Sequence, residues 1–214
     1  MLNRLAVEKF TLGDWGTNCY VLHLDSMPSG KCWIIDAGFS PDPLINYVRQ
    51  SGLVPEMVLL THAHIDHIAG LHAIRAAWQE IPILINSCER NFLADPALNL
   101  SIALDEPFEG PEPTGLLEPG ATLRLDGVAF QVRHTPGHSP GGVTFYVPDE
   151  KLAFVGDTLF AGSVGRTDFP TSDSSALKHS IDSQLLSMPD STLILPGHGP
   201  TSAIGHERRT NPFL

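Results

Sequence analysis

The sequence predicts an α/β fold in which two sheets pack face to face with helices outside. Three observations carry that reading. Strand-like runs followed by helix-period runs occur twice along the chain, the pattern of sheets covered by helices. Apolar residues make up 42% of the 214 and charged residues 17%, with 10 Phe and 3 Trp, enough to fill a core and unlike a disordered chain. Finally, 19 Gly and 18 Pro exceed a sixth of the residues, so many turns divide short elements.

Residues 5–10, 17–24 and 32–36 are rich in β-branched and aromatic side chains and separated by Gly, Pro and Asp turns, which predicts three strands. Ser40-Pro41-Asp42 reads as an N-cap, a proline at the first helical position and an acidic first turn. The helix it opens turns Leu44, Ile45 and Val48 inward and stops near Gly52. Residues 57–61 form a short apolar strand that ends in a His-rich loop. A second helix is expected from about Asp66, with Ile68, Leu71, Ile74 and Trp78 at helical spacing. Residues 81–85 read as a strand and 87–93 as a short helix. Residues 105–120 hold four prolines and three glycines, which predicts a surface loop and a candidate flap over a site. Strands near 121–125, 128–134, 143–147 and 152–155 precede a helix at about 173–188. A last strand, 192–195, leads to a C-terminal loop. No linker interrupts the chain, so 1–214 reads as a single domain.

Charge and cysteines bound the surroundings. Against 24 acids stand 13 Lys and Arg, a formal charge of −11 with no basic run, which argues against nucleic acid or an anionic membrane as partner. No stretch approaches the ~18 apolar residues of a membrane span. Residues 1–5 carry no apolar signal core. Cys19, Cys32 and Cys88 form no CxxC pair and lie in apolar or strand-like stretches, which predicts buried reduced thiols and a cytoplasmic protein.

Ten histidines are the unusual count. In Thr61-His62-Ala63-His64-Ile65-Asp66-His67, four potential ligands fall within six residues where a strand gives way to a helix. His62 and His64 are two apart, so an extended loop points both rings the same way. Asp66 and His67 are adjacent and diverge, which suits a second centre beside the first. Nitrogen and carboxylate donors together suit zinc, iron or manganese. His138 lies in the turn Pro136-Gly137-His138-Ser139-Pro140-Gly141, Asp157 ends the apolar run Phe154-Val155-Gly156, and His198 follows Leu195-Pro196-Gly197. All seven stand where a strand runs out, so they can converge at one sheet edge. His134 is expected to support the site, whereas His23, His72, His179 and His206 read as structural or surface residues.

HxHxDH followed by PGH, GD and a final GH resembles the metallo-β-lactamase superfamily. The resemblance implies a four-layer αββα sandwich, the metallo-β-lactamase fold, with a dinuclear metal site at one edge. By position, it implies that His62, His64 and His138 hold the first metal. Asp66, His67 and His198 would hold the second, with Asp157 bridging. The expected cofactors are therefore two divalent ions, zinc foremost, with iron or manganese as alternatives.

The stretches 158–170 and 205–214, together with 95–101, look like the short bacterial glyoxalase II-like branch. That similarity implies hydrolysis of a small-molecule thioester of the S-lactoylglutathione type, by attack of a metal-bridging hydroxide on the carbonyl. Asp66 would act in catalysis by orienting that hydroxide and taking its proton. A thiolate of pKa near ~8.5 leaves without a strong general acid, so thioesters suit such a site. Full-length glyoxalase II carries a further helical C-terminal portion with basic contacts to glutathione. Here 214 − 198 = 16 residues follow the last ligand, and that portion is expected to be missing.

A second reading is a persulfide dioxygenase-like oxidoreductase with one iron at His62, His138 and Asp157, since residues 165–169 also resemble that family. A metal-stabilised binding protein without turnover is the third, disfavoured because the ligand set is complete. Arg166 and Asp168 are expected to face substrate or to form a buried ion pair bracing their loop. Glu207 and the terminal Asn211-Pro212-Phe213-Leu214 are expected to pin the tail to the body.

Overall fold

The computed structural model describes residues 5–25 and 30–214, so the expectation for residues 1–4 lies outside the described chain. The first half runs β1 (Leu5–Leu12), β2 (Thr17–Leu24), β3 (Lys31–Ile35), α1 (Asp42–Gln50), β4 (Val54–Leu59), α2 (Ile65–Ile68), α3 (Leu71–Ala77), β5 (Ile83–Asn86) and β6 (Gly115–Leu117). The second half adds β7 (Thr122–Leu125), β8 (Val128–His134), β9 (Val143–Val147), β10 (Leu152–Gly156), β11 (Leu159–Phe160), β12 (Ser163–Val164) and α4 (Ser174–Ser180). It closes with β13 (Leu193–Pro196), β14 (Ser202–Ala203) and α5 (Ile204–Thr210).

Strands β1 to β6 form one sheet in chain order, antiparallel as far as β3 and parallel from β3 to β6. The other sheet runs β14-β13-β10-β9-β8-β7, with β10 and β13 parallel. Side-chain alternation builds the layers. On β2 and β3, Leu22, Trp33 and Ile35 meet Phe130, Phe145 and Phe154 of the facing sheet. Their sequence neighbours Val21 and Ile34 point the other way, onto Leu44, Val48, Leu71 and Ile74 of α1 and α3. On the far side, Tyr146, Ala153, Val155 and Ile194 pack under Leu177 of α4 and Ile204 of α5. The order helix, sheet, sheet, helix is the predicted αββα sandwich.

Several local expectations change. Ser40 does not cap α1; it stands at φ +54, and Pro41 precedes a helix with Pro43 in its first turn. The expected long helix after Asp66 breaks into α2 and α3 because the Gly70 N–H leaves the helix to donate to Ala37 O at 2.7 Å. A Cβ on Gly70 would lie 2.5 Å from Gly38 O, so only glycine permits this close approach. Residues 87–93 form two 3-10 turns, Ser87–Glu89 and Phe92–Ala94, rather than one helix. Asp173 caps α4 through Ser175 N and Ala176 N at 2.8 and 3.0 Å, and the helix widens into a π-turn over Ile181–Leu185.

The 105–120 loop is not a flap. It contributes β6 to the sheet edge and lies on α3, where His72 Nε2 and Arg75 donate to the carbonyls of Glu109 and Glu112. The expected C-terminal loop holds α5, too short to show an apolar period and held by packing of Ile204. Cys19 and Cys32 are buried as expected, but Cys88 is exposed on a 3-10 turn. No helix among the described residues is long and apolar enough to cross a membrane.

Candidate metal centre

The seven predicted residues meet at one edge of the sandwich. His62 and His64 follow β4, and Asp66 and His67 occupy α2. His138 lies on the β8–β9 loop, while Asp157 and His198 follow the adjacent parallel strands β10 and β13. Backbone hydrogen bonds sew the two sheets together here. Val143 N donates to Thr61 O at 2.8 Å and Asn18 N to Gly197 O at 2.7 Å. The Asn18 side chain also donates to the carbonyls of Pro196 and Gly199.

One nitrogen and oxygen set brings His62, His64 and His138 within 4.8 Å of one another, and another does the same for Asp66, His67 and His198. Asp157 stands between them. Its Oδ1 is 3.4 Å from His67 Nε2, and its Oδ2 is 3.6 Å from His138 Nε2 and 3.5 Å from His198 Nε2. A third cluster, His62, His67 and Asp157, crosses between these two.

Acceptors behind the rings set which nitrogen faces inward. His138 Nδ1 donates to Arg166 O at 2.9 Å, and His67 Nδ1 to Asp36 Oδ2 at 2.8 Å. Thr61 Oγ1 gives its proton to Asp36 and so accepts from His62 Nδ1 at 3.1 Å. Nδ1 of each ring is thus turned to an acceptor and Nε2 faces inward, where His138 Nε2 meets His64 Nδ1 at 2.8 Å; metal-ligating histidines are oriented in the same way. The buried Nε2 atoms of His62, His64 and His67 and Oδ1 of Asp157 have no hydrogen-bond partner. Leaving such a group unmet costs roughly 1–3 kcal/mol each. His62, His67 and Asp157 among them offer ligand atoms within 4.8 Å of one another, a set that fits a cation, which these donor types bind well. The residues present fit a metal pair.

The charges of the metal-free chain agree. Burial, with His67 alongside, pushes His62 far below the usual imidazole range, and burial with His138 pushes His64 down to about 3. Burial works against ionising Asp66, yet His67 and the hydrogen bonds from His198 and Thr17 hold its carboxyl well below the usual range. His67 runs opposite to the other buried rings: burial opposes its charge, but Asp66, Asp157 and Asp36 raise it well above normal. Three carboxylates around one buried imidazole therefore demand a positive charge. A proton on His67 supplies it in the metal-free chain, and a bound cation would displace that proton.

Sequence reasoning missed three supports. Asp36 ends β3, bonds Thr61 N and Oγ1 at 2.8 Å each, and orients His67. Its setting, an apolar strand followed by acid, is the same signal that marked Asp157. Thr17 Oγ1 donates to Asp66 Oδ2 at 2.8 Å, and nothing in a Thr at a strand start announces that. Glu89, fully buried, accepts from Ala63 N at 2.6 Å and Gly141 N at 2.7 Å, tying the His62–His64 loop to the His138 loop. Glu89→Gln turns an amide NH2 toward one of those N–H groups and leaves it unmet, at about 1–3 kcal/mol. Its Tm is expected to fall by roughly 2–12 °C, at ~2–4 °C per kcal/mol for a chain of this size. An unchanged thermal unfolding curve would show that the clamp contributes nothing.

Other expectations resolve simply. His134 does not enter the site; its Nε2 braces the β8–β9 loop through Pro140 O at 3.0 Å. His23 meets Tyr47 through its Nε2 at 3.2 Å. The Arg166–Asp168 pair is not buried, with 62% and 65% of its side chains exposed, and Arg166 lines the groove above the centre. Glu207 accepts from Gly162 N and Asn211 Nδ2, so it does pin the tail, to the β11–β12 turn.

A buried histidine–aspartate centre at the strand ends of an αββα sandwich defines a metallo-hydrolase class. The Metallo-beta-lactamase superfamily profile matches residues 12–198, and the chain belongs to that superfamily. It is 38% identical over 208 residues to the Bacillus subtilis "Probable metallo-hydrolase YqgX", covering 97% of this chain and 96% of that one. It is 35% identical over 189 residues to "Hydroxyacylglutathione hydrolase GloC" of Haemophilus influenzae, covering 85% and 86%. The solved structure of the BLEG-1 B3 metallo-beta-lactamase superimposes with a TM-score of 0.91 at 39% identity, covering 98% of this chain and 99% of that one.

Proposed function

We propose that the protein hydrolyses a small-molecule thioester of the S-lactoylglutathione type, using two divalent ions, zinc foremost. His62, His64 and His138 hold one ion, Asp66, His67 and His198 the other, and Asp157 is shared. The observation that carries the reading is the gathering of His62, His64 and His138, and of Asp66, His67 and His198, around Asp157, with His64, Asp66, His138, Asp157 and His198 forming the floor of an open groove. Similarity to the GloC hydrolase supports the thioester class.

When bound, the ions supply a water of lowered pKa and polarise the carbonyl. The chain's own residues hold the reacting groups. Thr17 and His198 both engage Oδ2 of Asp66, at 2.8 and 3.0 Å, which leaves Oδ1 as the oxygen able to orient water and take its proton. Trp15, Phe160 and Phe169 wall the groove and limit bulk water. Hydrolysis breaks the C–S bond, places the oxygen of water on the acyl carbon, and releases a carboxylate, a thiol and one proton. Among the described residues no Lys, Tyr or Cys lines the groove to protonate a poor leaving group. A thiolate of pKa near ~8.5 requires none. A cytoplasmic site of action belongs to the same reading, supported by three cysteines standing as free thiols.

Thiol release from a thioester panel by the metal-loaded protein tests this, and turnover independent of oxygen is expected. Oxygen uptake with a persulfide at one iron per chain, or faster turnover of a β-lactam than of any thioester, would overturn it.

A further inference from the structure

The thioester reading leaves both arms of the substrate unspecified, and the groove above the centre speaks to them. It encloses about 520 Å³, ample for more than a lactoyl group. Its walls are Trp15, Ile65, Leu100, Phe160, Val164 and Phe169. Apart from the candidate ligands of the floor, only Ser163 and Arg166 complete the lining among the described residues. Two of the wall residues are held against ordinary preference. Trp15 stands 51% exposed at the mouth, and Leu100 lines the groove from φ +69, a left-handed conformation unfavourable to a bulky side chain. Apolar side chains clustered around a concave site mark a surface built to receive hydrocarbon.

Charge argues the same way. Arg166 is the one Lys or Arg among the described lining residues, and it is already satisfied. Its Nε and a terminal nitrogen donate to Asp168 Oδ1 and Oδ2 at 2.6 Å each, and its guanidinium lies 4.5 Å from the centre of the Phe169 ring. The fork uses Nε and one terminal nitrogen, so the remaining N–H groups belong to a guanidinium whose charge Asp168 already offsets. A thiol arm such as glutathione brings two carboxylates and one ammonium. Beyond the floor, these walls would take water from the carboxylates and return only that offset guanidinium, which is costly.

We propose that the groove selects thioesters with neutral, hydrocarbon-rich arms over those built on an anionic thiol such as glutathione. This rests on the thioester-hydrolase reading and specifies its substrate class. Arg166 and Asp168 act as a charge-neutral gatepost: while Asp168 holds the guanidinium, an anionic arm meets a cation whose charge is already offset.

The test uses the full-length metal-loaded protein and paired thioesters carrying one acyl group on either N-acetylcysteamine, which is neutral, or glutathione. The neutral member is expected to show at least about tenfold higher kcat/KM, and lengthening acetyl toward hexanoyl to raise it roughly threefold per methylene, near the transfer value of a buried CH2. Phe160→Ser should flatten that chain-length dependence. Asp168→Ala, which frees Arg166, should shift the glutathione-to-neutral ratio about five- to tenfold toward glutathione. A higher kcat/KM for the glutathione member in the unmodified protein overturns the proposal, as does a ratio unmoved by Asp168→Ala. Should neither member be hydrolysed, the hydrolase reading fails by itself. Calorimetric binding of the matched non-hydrolysable thioethers then decides the groove's preference: tighter binding of the neutral thioether supports it, and tighter glutathione binding, or none of either, overturns it.

Discussion

Asp157→Ala is expected to abolish hydrolysis and strip metal from the chain. Its two oxygens stand 3.4–3.6 Å from nitrogens of His67, His138 and His198, so one side chain serves both halves of the centre. Loss of a group that merely orients a ligand already costs about 10–100-fold in affinity or activity. Removal of the shared carboxylate should therefore exceed about 100-fold in both. Alanine also leaves His67 and His198 with one fewer negative neighbour. Metal analysis after dialysis, beside turnover of the best thioester, checks this. Two ions per chain with undiminished turnover would remove Asp157 from its shared position.

Gly197→Ala should be nearly as damaging without deleting any ligand. A Cβ at Gly197 would lie 2.2 Å from Asp157 Oδ1 and 2.6 Å from His67 Cε1. Here the close approach, not a positive φ, demands glycine. The backbone cannot retreat easily, because Gly197 N donates to Gly156 O at 2.9 Å and Gly197 O accepts from Asn18 N at 2.7 Å. Overpacking of this kind costs about 1–3 kcal/mol of stability. A misplacement of ~1 Å among reacting groups can cost about 100-fold in rate. The expected variant is folded by circular dichroism, somewhat less stable, and reduced about 100-fold in kcat. Wild-type kcat at saturating metal would show that the loop yields without moving Asp157 or His67.

Elements with a strong local signal were the ones readable from sequence. The β2 span of Thr17–Leu24 and the β9 span of Val143–Val147 agree with their predicted limits, because β-branched and aromatic runs between turn residues leave little alternative. Where a contact distant in sequence decides, the reading failed. The α2–α3 break depends on Ala37 O, thirty-three positions before Gly70. β6 exists because residues 115–117 pair with β5, although their composition is that of a loop. The exposed position of Cys88 and the outward Arg166–Asp168 pair likewise depend on how elements pack, which local pattern does not encode.

For the centre itself, residue type and spacing picked out the seven candidates, and the resemblance to the metallo-β-lactamase superfamily implied their division into two sets. A single aspartate at a strand end is usually a cap or turn residue, but the HxHxDH interval and three further strand ends together make a joint pattern. Tertiary structure decided what those ligands could not announce. Asp36, Thr61 and the Arg166 carbonyl choose which ring nitrogen faces inward, and Glu89 holds two loops in register. Their roles come from hydrogen-bond geometry between segments tens of residues apart, where any acid or carbonyl looks ordinary in sequence. The groove above is of the same kind: its apolar walls come from four separate stretches of chain, and only folding brings them together over the candidate metal floor.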